Sequence, residues 1–108
     1  MMQQIRLKGE FEQVREMVCE KLLKSRTGFS ISEQADYCLE GKRVSIRMIQ
    51  RFASTIGERT AVQLTFLEDV DEVIVNAIAS GFEGLLFLHT KEGQSAALEV
   101  LRKIEEDQ

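Results

Sequence analysis

The chain has 108 residues, 44% of them hydrophobic and 30% charged, with a net charge of −4. That length suits one domain, residues 1–108, able to bury a core without staples, and the composition is too apolar for a disordered chain. The acidic balance argues against a nucleic-acid partner, and no apolar run reaches the ~20 residues of a membrane span.

Ile5 and Leu7 alternate with Gln4, Arg6 and Lys8 and predict a short first strand. Phe11, Val14, Val18 and Leu22, widened by Met17, recur at helical spacing and predict a helix. Glu10 and Glu12 suit its first turn, Lys24 and Arg26 its last, and Gly28 stands where a left-handed cap belongs. Gly9 at the start leaves the N-cap weak.

Beyond Gly28 the period falls to two. Phe29, Ile31, Ala35, Tyr37 and Leu39 share one parity, and Glu40-Gly41 forms a tight turn. The next strand sets Val44, Ile46, Met48 and Phe52 on an oily face and Arg43, Ser45, Arg47 and Arg51 on a wet one. A loop from Ser54 to Arg59 leads to inward-facing Val62, Leu64 and Phe66, and Glu68 to Glu72 turns the chain again. Val73, Val75, Ala77 and Ala79 then line one face of a fifth strand, with Ile74 and Ile78 on the other. Ser80 to Gly84 reads as a loop, and Leu85 to Leu88 as a sixth strand, apolar on both faces. Ala97, Val100, Leu101 and Ile104 mark a closing helix that opens near Gly93–Ser95. The order β-α-β-β-β-β-β-α defines an α+β fold: a single antiparallel sheet of about six strands with two helices packed on one face.

Little in the chain assembles catalytic chemistry. Cys19 and Cys38 have no cysteine or histidine at ligand spacing, and His89 is the single histidine, so no metal site is expected. The acidic corner Glu68, Asp69, Asp71 and Glu72 lacks the spacing of a calcium loop and reads as a solvated turn. Glu33 alone interrupts an oily face, and one carboxylate makes no acid–base pair. No catalytic or cofactor-binding residue is assigned, and an enzyme is not favoured. Arg43, Arg47 and Arg51 lie about 13 Å apart along one strand face. They suit an anionic ligand or acidic partner, or simply a solvated face with cross-strand carboxylates.

Charge is uneven: residues 1–60 carry 11 Lys/Arg against 8 Asp/Glu, and residues 61–108 carry 3 against 10. Such asymmetry lets complementary faces meet. Met1 to Lys8 has neither the apolar stretch nor the cleavage site of a secretory signal, so a cytoplasmic location is expected.

From Arg43 to Ile104 the chain resembles a family of small bacterial proteins that form a domain of unknown function. The resemblance rests on Arg47-Met48-Ile49-Gln50-Arg51-Phe52, a Gly-containing turn, the strand Ala77-Ile78-Ala79-Ser80-Gly81, a strand bearing Phe87, and the closing helix. It implies a fold rather than an activity, and Phe82 and Glu83 depart from the small residues of the family's pattern. The element order also resembles the helix-grip (START-like) architecture, although the closing helix is short for a lipid-sized cavity.

Ile74, Ile78, Leu86 and Leu88 should point away from the helices and form an exposed apolar patch, unless a loop through Ile56 or Phe82 covers them. The expected role is therefore a non-catalytic interaction or structural protein acting as a homodimer. The alternative is a small carrier holding an apolar or anionic ligand between sheet and helices.

Overall fold

The computed structural model describes residues 2–25, 28–53, 58–82 and 91–108. Strand β1 (Met2–Lys8) leads to helix α1 (Phe11–Ser25). Four strands follow: β2 (Phe29–Leu39), β3 (Lys42–Ala53), β4 (Glu58–Asp69) and β5 (Glu72–Phe82), before helix α2 (Lys91–Glu106). The strands form one sheet in the order β1-β5-β4-β3-β2, antiparallel throughout. The α+β architecture is the one the sequence predicts, with five strands among the described residues. The sixth strand expected at Leu85–Leu88 lies outside them, as do Leu86, Leu88, Ile56 and His89.

Ile5, Leu7, Phe66, Leu64, Val62, Val73, Val75, Ala77 and Ala79 are buried on the sheet's inner face. Phe11, Val14, Val18, Cys19 and Leu22 of α1 and Leu101 and Ile104 of α2 join them in one core cluster. Helical period on one side and alternation on the other produce this layer, because each element has a single apolar stripe to bury.

Register decides which way β3 faces. Cross-strand partners in an antiparallel sheet share a face, and Arg47 lies opposite Leu64, Ile49 opposite Val62, and Ser45 opposite Phe66. Those β4 residues are fully buried, so Ser45, Arg47 and Ile49 turn inward with them. The oily and wet faces expected of β3 are thus reversed: the arginine row lies under the helix layer, while Val44, Ile46 and Met48 lie on the outer face, half-buried. A strand's own pattern ranks its faces by oiliness. The partner strand assigns them.

Strand β2 departs from its predicted single parity as well. A register shift between Ile31 and Glu33 makes Ser32 an extra residue, a β-bulge. Phe29 and Ile31 therefore pair with inward residues of β3, and Ala35 and Tyr37 with outward ones.

The connections follow local backbone chemistry. Glu40 and Gly41 take φ of 50° and 81°, the pair of positive angles a two-residue hairpin of matching twist requires. The acidic turn narrows to Val70 and Asp71, and β5 continues through Ser80 and Gly81, which the sequence reading placed in a loop. At the start of α1 the cap is Glu10, whose carboxylate accepts a hydrogen bond from the Gln13 amide at 2.9 Å. Gly9 instead makes the bend, at φ 137°, and its amide donates to the Asp71 carbonyl at 3.3 Å.

A Cβ on Gly9 would stand 3.0 Å from Cγ2 of Val14 while keeping that positive φ. Gly9→Ala should therefore lower stability in urea unfolding by about 1–2 kcal/mol. Val70 is the opposite case, a β-branched and exposed residue at φ 51°. Val70→Asn, which tolerates that region, should raise stability by roughly 0.5–1 kcal/mol in the same assay.

Candidate functional site

The inner face is not uniformly oily. Above β5 and the middle of β4 it is apolar, whereas Thr60 and Glu68 stand at the ends of β4 and, above β3 and β2, it carries Arg43, Ser45, Arg47, Asp36 and Gln34. Arg47 has a side chain only 7% exposed. A buried guanidinium needs acceptors for its donors, and Arg47 Nη1 lies 3.0 Å from Asp36 Oδ1 and 3.0 Å from the Ile46 carbonyl. Ser45 Oγ donates to the same Asp36 oxygen at 2.6 Å and accepts from Arg15 Nη1 of α1 at 3.2 Å. Ser45, itself buried, thereby ties helix to sheet.

Arg43 sits one hairpin step nearer the β2–β3 turn. Glu68 accepts hydrogen bonds from its Nη2 at 2.8 Å, its Nε at 3.3 Å and its backbone amide at 3.0 Å. Its guanidinium also lies over the Phe11 ring, 4.9 Å from the centroid, and Arg15 approaches that ring at 6.0 Å. Between α1 and β2–β3 these groups surround an open cleft of about 300 Å³, lined by Phe11, Glu12, Arg15, Asp36, Tyr37, Arg43, Val44 and Ser45.

Electrostatics follow from these contacts. The Asp36 carboxyl is held below the usual range mainly by the Ser45 hydrogen bond, with Arg47 and Arg15 adding to it. Glu68 is lowered chiefly by its hydrogen bond from Arg43, whose own pKa is raised chiefly by the same contact. Glu10 is lowered first by the Gln13 amide it caps. Burial pushes the Cys19 thiol up to about 11, so it is protonated at neutral pH and a poor nucleophile.

Of the predicted arginine row, Arg43 and Arg47 are brought together with Asp36. Arg51 is not. It stands opposite Phe29 and Thr60 at the far end of the strand. Arg15 was missed because a helical arginine four residues from Phe11 looks like any solvated position. The acidic corner is taken up by ion pairs: Asp69 with Arg6 at 3.1 Å and Lys42 at 3.7 Å, Glu72 with Arg6 at 3.6 Å, and Glu68 with Arg43. Among the described residues no cluster of His, Cys, Asp and Glu could hold a metal ion.

The outer face is built differently. Tyr37, Val44, Leu67, Ile74 and Arg6 form one cross-strand row, and Ala35, Ile46, Thr65, Asn76 and Gln4 the next. Glu33, Met48, Gln63, Ile78 and Met2 form the third. Ile74 and Ile78 thus point away from the helices; Ile78 is 50% exposed and Tyr37 55%.

Fold and site together define a two-layer α+β protein whose helix–sheet seam holds a guanidinium–carboxylate network. The chain belongs to the family of unknown function DUF6054, whose family model matches residues 2–107. Comparison with curated proteins finds no match. No helix among the described residues is long and apolar enough to cross a membrane.

Removing Asp36 leaves the Arg47 charge buried without its carboxylate. Asp36→Ala should therefore lower stability by about 1–3 kcal/mol in urea unfolding, and Arg47→Met by less, since it removes the buried charge itself. Asp36, Glu68 and Glu10 have folded pKa values below their unfolded ones, so in that interval the unfolded chain binds more protons and stability rises with pH. Their contribution is full at neutral pH and disappears as pH falls through the depressed values. Urea midpoints should drop between neutral pH and about pH 3, and Glu68→Gln should shrink that drop.

Proposed function

We propose that the protein is a non-catalytic interaction protein of the cytoplasm that acts as a homodimer, its two copies stacked through the outer faces of their sheets. The observation that carries this reading is the charge distribution of that face. In a chain with 30% charged residues, the three central rows hold fifteen positions, of which only Arg6 and Glu33 are charged. Both lie on edge strands. Tyr37, Val44, Ile46, Met48, Leu67, Ile74 and Ile78 supply a mostly apolar surface, interrupted by the uncharged Gln63, Thr65 and Asn76, of the kind that marks an interface.

Charge favours a second copy as the occupant. Two chains of net charge −4 repel at most approaches, and a neutral face removes that penalty. At the hairpin end, Arg6 and Lys42 are neutralised within the chain by Asp69 and Glu72, so they add no net charge there. Size fits as well. Five strands about 4.8 Å apart and three rows nearly 7 Å apart span roughly 500 Å² in plan. The flanking rows with Leu39 and Gln50 extend this towards the roughly 800 Å² per partner of a standard interface. Stacked sheets separated by about 10 Å would bury these side chains as the inner layer of a sandwich. Leu86 and Leu88, also expected at this surface, lie outside the described residues.

Light scattering coupled to size exclusion at micromolar concentration tests this directly. The expected mass is twice 12.3 kDa, and a strict monomer removes the proposal. Ile78→Lys and Ile46→Lys should each give a monomer with an unchanged circular-dichroism spectrum. In the intact protein one thiol, Cys38, should react with a disulfide reagent within minutes, while Cys19 should react only on unfolding.

A further inference from the structure

The cleft between α1 and β2–β3 has features that the fold itself does not require. A small domain gains little from a buried guanidinium, since an apolar residue of similar volume would serve the core as well or better. Here Arg47 and Ser45 are buried under the cleft, Asp36 joins them, and two further guanidiniums, Arg15 and Arg43, stand in its wall. Both of those are within about 6 Å of the same ring, that of Phe11. We propose that this cleft binds the oxyanion group of a small molecule, a carboxylate or a phosphate, between Arg15 and Arg43.

Each arginine is anchored on one side and weakly engaged on the other. Arg15 Nη1 is fixed to the buried Ser45 hydroxyl at 3.2 Å, but among the described residues its Nε and Nη2 reach only Glu16, an exposed neighbour on the same helix. Arg43 is fixed by Glu68 through Nε and Nη2, while among the described residues its Nη1 meets only Glu10 at 3.5 Å and Glu12 at 3.7 Å, both exposed and beyond good hydrogen-bond distance. Exposed pairs of this kind contribute little, so an incoming oxyanion displaces weak acceptors while the guanidinium planes stay oriented. Such pre-orientation lowers the ordering cost of binding.

The walls set the rest of the ligand. Phe11 flanks the cleft on the helix side, and its volume of about 300 Å³ is at the lower end for small-molecule sites. A compact anion with an aromatic or aliphatic body fits that space. Glu12 also lines the cleft and acts as a resident competitor. Glu16 stands against Arg15, and Glu10, Glu12 and Glu68 against Arg43, so an incoming anion must displace exposed carboxylates, of which Glu12 lines the cleft.

The full chain is titrated with inorganic phosphate and, separately, with sodium benzoate. Amide and arginine Nε–H NMR shifts are followed, and sodium chloride at matched ionic strength is the control. Saturable shifts centred on Arg15, Tyr37, Arg43 and Ser45 are expected with at least one probe; which probe saturates identifies the oxyanion. Glu12→Gln, at an exposed position that should not disturb folding, should tighten binding severalfold, and Arg15→Gln should weaken it roughly tenfold or more. Shifts no different from those of chloride, or an affinity unchanged by Glu12→Gln, overturn the proposal. Its failure and the failure of dimerisation are distinguishable, because the variants that read it out, Glu12→Gln and Arg15→Gln, lie on α1, across the sheet from the proposed dimer face.

Discussion

The pairing of β3 with β4 is the constraint from which the rest of this molecule follows. With Leu64 and Val62 committed to the core, Arg47 and Ile49 opposite them must share that side. A single register decision therefore sends a row of guanidiniums under a helix and a row of aliphatic side chains towards solvent. Each half of that outcome has a physical consequence. The inward arginines require acceptors, which Asp36 of β2 and Glu68 of β4 supply. The outward Val44, Ile46 and Met48 require cover, which the chain's own helices, both on the other side of the sheet, do not provide.

Where one element alone determines its burial, the sequence was legible. The stripe of α1, the alternation of β1, β4 and β5, and the Glu40-Gly41 turn all occupy the predicted places, because helix or strand period acts within a few residues. What could not be read was relational. In β3 both parities carry residues that a strand accepts, and only a partner seventeen residues away in sequence settles which is inside (Arg47 against Leu64). In β2 the Ser32 bulge breaks the parity without any glycine to announce it. Ile74 and Ile78 were placed correctly since Val73 and Val75 are so clearly the core side of β5. Arg15 was invisible for the same reason that β3 was misread: its importance lies in a contact with Ser45, thirty residues on.

Polar groups at the helix–sheet seam also explain how α1 is positioned. Apolar burial alone would let the helix slide and rotate over a smooth oily sheet. The Arg15–Ser45 hydrogen bond and the Arg43–Phe11 stacking are directional, and both act on the first half of the helix. Farther along, Val18 and Leu22 hold it by packing. The two halves of the helix thus divide the work, specificity near its start and adhesion near its end.

The placement of β1 affects how the chain reaches this arrangement. The ladder between Lys8 and Glu72 joins residues 64 apart, whereas β2 through β5 are linked to their neighbours by short hairpins or, between β3 and β4, a brief connection. Closing so long a loop has an entropic cost that near-neighbour pairing avoids. Strand β1 must therefore wait, with Ile5 and Leu7 unpartnered, until β5 is in place to pair with it. Its Gln4, Arg6 and Lys8 keep that waiting segment hydrated, a form of insurance against clumping written into the solvent side of the strand.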